Sequence, residues 1–225
     1  MPGSFAAENF RNLVAQQPLA RAMTNSFVYA ISVTLICLFI CSLAGYGFEV
    51  YHDKWKDKLF SILLLAMMIP QVATMIPLFQ MFSKAKLLNT TIGFFLPMIS
   101  TPFMIMMFRQ NARAFPVDII EAARLDGLTE IGIFFRMFFP TMRSTYAAAA
   151  VITFMNAWNA YLWPKVIMTD GKSLNMVMLI ANTIGGYKID YGMIMMGVLF
   201  CSIPTMVVFF VLQKQFADGI TGAVK

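Results

Sequence analysis

The sequence predicts an all-α, polytopic membrane protein with about five transmembrane helices and a single membrane domain. Three observations predict it. Hydrophobic residues make up 59% of the chain and charged residues 12%, about half the charged share of a soluble domain. Long stretches free of Asp, Glu, Lys and Arg recur along the chain. The 17 Lys and Arg fall in the short segments between those stretches, where membrane proteins keep them. The net charge of +6 is therefore no basic face, and no nucleic-acid partner is expected. Twenty Met and 22 Phe beside few acids exclude a disordered chain.

Taken in order, residues 1–21 read as an external N-terminal segment. Glu8 and Arg11 precede a polar stretch there, so no basic-then-apolar leader is expected. The transmembrane domain, 22–213, holds five candidate spans: Ala22 to Phe48, Leu59 to Ser83, Leu87 to Phe108, Ser144 to Pro164 and Tyr191 to Gln213. Each supplies the roughly 20 residues that a helix needs to cross about 30 Å of hydrocarbon. The stretch Ser173 to Tyr187 is shorter and carries Asn175, Asn182 and Gly185-Gly186, which reads as an interfacial segment or part of an external loop.

Five spans put the termini on opposite faces. The connections Glu49–Lys58, 109–143 and the tail 214–225 then hold ten Lys and Arg, against seven in the other group. The positive-inside rule places the first group in the cytoplasm, giving an external N-terminus and a cytoplasmic C-terminus. Pro70, Pro77, Pro97, Pro102 and Pro204 lie inside spans, as in proteins that enclose a cavity, although helix packing alone also accounts for them. Cys37, Cys41 and Cys201 sit in apolar runs as small packing residues, and one histidine, His52, builds no zinc site. Neither a metal nor a cofactor is expected.

The connection 109–143 is the informative one. Pro116 and Asp118 open a helix, with Asp118 as the cap and Glu121 completing a capping box. Gly127 supplies a left-handed helix end, Thr129 caps a second helix with Glu130 near its positive end, and Pro140 marks the far end. Ile119, Ile120, Ala122, Ala123 and Leu125 give the first helix an apolar side that needs a partner. That side suits either a lipid surface or the surface of another subunit.

Glu121-Ala122-Ala123, three residues, then Gly127 resembles the EAA loop of binding-protein-dependent ABC importer permeases. The family continues with nine residues, Ile, one residue and Leu-Pro; Met137, Phe139 and Pro140 hold those places here. Arg124-Leu125-Asp126-Gly127, Trp158-Asn159-Ala160-Tyr161-Leu162-Trp163-Pro164 and the tail Gly219-Ile220-Thr221-Gly222-Ala223-Val224-Lys225 narrow the resemblance to carbohydrate-uptake permeases. They lie on the side of the maltose system's shorter membrane subunit. Similarity covers the chain from about Phe5 onward. The family usually has six spans, and residues 5–21 resemble the external segment after its first span. A truncated chain or a five-span variant is therefore expected.

The resemblance implies a type I ABC importer permease fold in a bacterial or archaeal cytoplasmic membrane, and a sugar as cargo. The implied partners are a second permease subunit in a heterodimer, two cytoplasmic ATP-binding subunits, an external solute-binding protein and membrane lipid. It assigns coupling to the ATPase to Glu121, Ala122, Ala123, Asp126, Gly127 and Pro140. Asn156, Trp158, Asn159 and Tyr161 are candidate liners of the sugar path; packing and interface roles are the competing reading. Gly171-Lys172-Ser173 imitates the end of a phosphate-binding loop, but Val166 stands where its first glycine is required, so no catalytic residue is expected. A rival cargo is glycerol phosphate or another small solute. A stand-alone secondary transporter is disfavoured, because the spans lack acidic and basic side chains.

Overall fold

The structure is a computed structural model that describes residues 5–184 and 189–221, with residues 214–221 described by backbone alone. The described residues form helices joined by turns, without strands. In order they are α1 (Phe5–Gln16), α2 (Leu19–Val50), α3 (Lys54–Ala66), α4 (Gln71–Lys84), α5 (Thr91–Phe95) and α6 (Pro102–Ala112). Then come α7 (Val117–Leu125), α8 (Glu130–Ile133), a π-helical turn (Phe134–Phe138), α9 (Phe139–Thr141) and α10 (Arg143–Trp158). The last are α11 (Leu162–Ile167), α12 (Met176–Ile184) and α13 (Tyr191–Thr221).

The expected spans resolve into two kinds. Leu19–Val50 and Tyr191–Gln213 are continuous helices long and apolar enough to cross a membrane. At about 1.5 Å per residue, the 32 residues of α2 reach roughly 48 Å, beyond a hydrocarbon core of about 30 Å. The other three expected spans are not single helices. The Leu59-to-Ser83 stretch is divided between α3 and α4, which are bent by 102°. Its break falls at Pro70, which lacks an amide hydrogen and ends the preceding turn. The Leu87-to-Phe108 stretch is split into α5 and α6 by a turn that holds Pro97, with Pro102 in the first turn of α6. The Ser144-to-Pro164 stretch stops as α10 at Trp158 and resumes as α11. Pro77 and Pro204, by contrast, stay inside helices.

The chain forms two compact units. One comprises Met1–Val33, Met75–Pro97 and Phe154–Phe210. Its core gathers Leu13, Leu19 and Ala22 with Met176, Leu179 and Met193. The stretch 173–184 is thus not a loop in its larger part: α12 is a core helix whose Met176, Met178 and Leu179 are fully buried. Asn175, read in the sequence as a polar interruption, is buried and caps it. Its side-chain oxygen accepts from the Met178 amide at 2.9 Å and its Nδ2 donates to the Ala160 carbonyl at 2.8 Å. The Gly185-Gly186 pair lies outside the described residues. Residues 5–16, expected as an external segment, form α1, with Phe10 against Phe200 of α13 at 5.4 Å between ring centroids.

The other unit comprises Thr34–Thr74, Met98–Thr153 and Val211–Lys225. Gly45 of α2 lies directly against α6. A Cβ there would stand 2.6 Å from the Phe108 Cβ and 2.8 Å from the Arg109 amide nitrogen, so only glycine allows this approach. Around the contact, Cys37 and Cys41 are buried with Met104, Ile105, Phe108 and Ala149. A second cluster joins Tyr46 to Phe115, Ile120, Ala123, Phe134 and Phe138. Arg109, 7% exposed, closes this unit with charge. Its Nε donates to Glu49 at 3.1 Å, an NH2 nitrogen to Asp57 at 2.6 Å, and its guanidinium lies 4.2 Å from the centre of the Phe60 ring.

Candidate functional site

The loop 109–143 begins where α6 ends, and α7 follows Pro116. Asp118 does not cap it as expected: Pro116 holds the N-cap position without a side-chain hydrogen bond, and Asp118 lies inside the first turn. There its charge still faces the positive helix end. No capping box forms with Glu121.

The C-terminal end follows the expectation in full. Gly127 has φ of +79°, the left-handed conformation. The Leu128 amide donates to Ala123 and the Gly127 amide to Arg124, both at 3.0 Å, which satisfies carbonyls that a helix end otherwise leaves free. Thr129 then caps α8 by accepting from the Gly132 amide at 3.2 Å.

Pro140 does not end the second helix. The chain continues through a π-helical turn, where the Phe139 amide bonds the Phe134 carbonyl five residues back, and Pro140 sits in the first turn of α9. The wider turn lies just where the ring of Pro140 would meet the carbonyl of the preceding α turn.

These ends fix what α7 presents. Ile120 and Ala123 turn inward and are buried beside Phe134 and Phe138. Glu121, Ala122, Asp126 and Gly127 are exposed. Leu125 is 89% exposed and Ile131 of α8 is 71% exposed. The two alanines of the motif therefore face opposite ways, and Ala123 permits close packing onto this chain's own core.

Arg124 leaves the helix on its exposed side. Its Nε donates to Glu130 Oε1 at 2.8 Å and an NH2 nitrogen to Glu130 Oε2 at 3.3 Å, while the Tyr51 hydroxyl donates to the same carboxylate. Arg124 first, and Tyr51 after it, hold the Glu130 carboxyl below its ordinary value. Partial burial, and then the hydrogen bond to Glu130, hold the Tyr51 phenol above its own.

The candidate path residues separate. Asn159 and Tyr161 line a cavity of about 510 Å³ together with residues of α12 and α13, among them Ile180, Val198, Ser202 and Thr205. Trp158 offers it no face, because it is fully buried between Phe27 and Phe154. Its Nε1 donates at 2.9 Å to the carbonyl of Cys201, a lining residue, so it braces the wall from behind. Asn156 is exposed and is not among the lining residues. Ser202 and Thr205, one turn apart and facing that space, escaped the sequence reading. A small-polar pair inside an otherwise apolar span was the available signal.

The Gly171-Lys172-Ser173 stretch is a tight turn. The amides of Lys172 and Ser173 both donate to the Asp170 carboxylate, at 3.0 and 2.7 Å, so a side chain of this protein occupies the donors that a phosphate would use.

The family model described as binding-protein-dependent transport system inner membrane component matches residues 42–222. The chain belongs to this permease family. Among its relatives it is 41% identical over 223 residues to the lactose transport system permease protein LacG of Rhizobium radiobacter, covering 99% of this chain and 82% of that one. It is 34% identical to the arabinooligosaccharides transport system permease protein AraQ of Bacillus subtilis, over 89% of this chain and 72% of the relative. It is 29% identical to the sn-glycerol-3-phosphate transport system permease protein UgpE of Shigella flexneri, over the whole of this chain and 83% of that one. In fold it matches a solved bacterial ABC transporter involved in alginate import, with a TM-score of 0.84 at 18% identity, over 96% of this chain and 81% of the other.

The binding-protein-dependent permease is thus the membrane component of an ABC importer, residing in the inner membrane, and not its catalytic subunit. Such a component works with a solute-binding protein and an ATPase. The all-α importer-permease fold expected from the sequence is the one found.

Proposed function

We propose that this permease is one of two membrane subunits of an ATP-driven sugar importer, and that α7 is the point where two cytoplasmic ATPases drive it. The observation that carries the coupling role is the outward row Glu121, Ala122 and Leu125, standing on a helix that Ile120 and Ala123 root in the core. An exposed apolar residue beside an acid, on a short helix rigidly capped at Gly127, is a knob shaped for a protein groove. Loop 109–143 is then cytoplasmic, with the N-terminus outside and the C-terminus inside. Closure of the ATPases moves α7, and the solute delivered by the external binding protein passes Asn159, Tyr161, Ser202 and Thr205. Pro140 contributes by holding the chain beyond α8 rather than by contact.

Sugar as cargo is supported by the relatives named for lactose and arabinooligosaccharides. The cavity supports it, since the polar side chains among its described lining residues, Asn159, Tyr161, Ser202 and Thr205, are neutral. A phosphate ester would call for a charged donor there. Glycerol phosphate is the second reading, on the likeness to UgpE at 29% identity.

The test is reconstitution of the complete importer in liposomes, with ATP inside the compartment that holds the ATPases. Lactose, an arabinooligosaccharide and glycerol 3-phosphate are offered through the cognate binding protein. ATP-dependent uptake of a sugar is expected. Exclusive uptake of glycerol 3-phosphate would move the assignment to the second reading, and uptake without ATPase subunits would overturn both.

A further inference from the structure

We propose that Tyr51, Arg124 and Glu130 form a positioning clamp that fastens α7 to the turn between α2 and α3, so that movement of α7 is delivered to α2 instead of being lost within the loop. The proposal rests on the coupling role given to α7 above.

The geometry is a three-point junction. Arg124 comes from the last turn of α7, Glu130 from the first residue of α8, and Tyr51 follows the last residue of α2. Both carboxylate oxygens of Glu130 are engaged: Oε1 by the Arg124 Nε at 2.8 Å, and Oε2 by an Arg124 NH2 nitrogen at 3.3 Å and by the Tyr51 hydroxyl. The guanidinium also lies 5.9 Å from the centre of the Tyr51 ring. A planar fork on a carboxylate fixes direction as well as distance.

The turn that receives the clamp is itself braced. The Lys56 ammonium donates to the Tyr51 carbonyl, pairs with Asp53 at 3.0 Å and lies 5.9 Å from the Tyr51 ring centre. Glu49 and Asp57, on either side of the turn, hold Arg109 of α6. The corner 49–57, made of the end of α2, the turn and the start of α3, thus takes contacts from α7, α8 and α6.

Stability does not explain the arrangement. The Arg124 and Glu130 side chains are nearly half exposed, and an exposed ion pair adds little to folding. The inner face of α7 is already secured by Ile120 and Ala123. Tyr46 of α2 already shares an apolar cluster with Ile120 and Ala123 of α7, and what the clamp adds to it is a directed polar tie between Tyr51 and Glu130, 79 residues apart in the chain. Tyr51, Arg124 and Glu130 are therefore positioning residues, acting through α7 and α2 without touching solute.

A direct contact of Arg124 or Glu130 with the ATPase is the competing role, and a charge swap separates the two. In the complete importer in liposomes, Glu130→Gln, Tyr51→Phe, Arg124→Glu and Glu130→Arg should each keep ATP turnover and ATPase binding. Solute imported per ATP should drop about fivefold. The double variant Arg124→Glu with Glu130→Arg rebuilds the pair with its sign reversed, and should recover to within about twofold of wild type. Single variants at the wild-type ratio would overturn the clamp, as would a double variant no better than the singles.

Amide hydrogen exchange over 117–125 in the same complex reads the clamp without any transport. Faster exchange is expected in Glu130→Gln and wild-type exchange in the swap; equal exchange in all three would refute the link. If the wild-type importer itself moved no sugar, the functional reading would fail while the exchange experiment still decided the clamp.

Discussion

Replacing Gly127 tests whether the conformation of the α7 end, rather than the space around it, carries coupling. The φ of +79° is one that side chains with a Cβ rarely adopt, yet a Cβ built there meets nothing within 4 Å. Within this chain, any effect of a side chain is therefore an effect on the backbone. Left-handed backbone costs a non-glycine residue about 1–2 kcal/mol. A β-branched residue lies at or above the top of that range, whereas Asn tolerates the region. Against this cost stand the two closing bonds, from Leu128 to Ala123 and from Gly127 to Arg124, at about 1 kcal/mol each.

Alanine therefore leaves the cap strained but closed, while valine brings the cost level with the bonds that hold it. When the cap opens, Leu125 and Glu121 lose their fixed direction. The order expected in reconstituted importer is Gly, then Asn, then Ala, then Val, with solute moved per ATP lowest for Val and ATPase binding retained in all. Normal coupling in Gly127→Val would refute the reasoning. So would Gly127→Asn as defective as Val, because that would make the presence of any side chain, and not the sign of φ, the cause.

Other outcomes follow from the same geometry. Leu125→Asp should fold normally, since the residue is 89% exposed, but should weaken ATPase binding by the roughly 2 kcal/mol that burying a leucine contributes, read as about a thirtyfold rise in Kd on titration of the purified subunits. Thr205→Val removes a polar liner of the cavity and should raise the KM for sugar by about two- to tenfold at unchanged basal ATP hydrolysis; an unchanged KM would detach the cavity from the path. Trp158→Phe loses the bond to the Cys201 carbonyl and should cost about 1 kcal/mol in thermal stability without removing any group that faces the cavity. The Glu130 carboxyl is lowered from 4.5, so its contact with Arg124 is fully present above that pH and is lost only as pH falls through the lower folded value. A titration of the isotope-labelled carboxyl with a midpoint at or above 4.5 would contradict the bidentate pair.

The local grammar of α7 was legible in the residues. Gly127 and Thr129 act where the sequence placed them, because each feature depends on neighbours within a few positions. Asp118 misled, since Pro116 takes the N-cap position two residues earlier than the expected side-chain cap. The breaks in the middle spans escaped a scan for charge, which measures polarity and is blind to helix direction; Pro70 was visible, but Pro77 in the same stretch is not a break. Asn175 looked like a loop residue because its polarity is evident in sequence and its partners, Ala160 and Met178, are not. The ties of Arg109 to Glu49 and Asp57, and of Tyr51 to Glu130, join segments more than 50 residues apart, and no spacing rule reaches that far.

The two faces of α7 also bear on how such importers trade components. Ile120 and Ala123 answer to this chain's own interior, whereas Glu121, Ala122 and Leu125 answer to whatever seats on them. If α7 docks the motor as proposed, a change of motor calls for rewriting the outward letters, while the inward ones are held by a different reader. On the proposed reading, a permease of this build could be refitted to a foreign ATPase by grafting three positions. Chimeras that exchange the whole loop would disturb a core that the motor never meets.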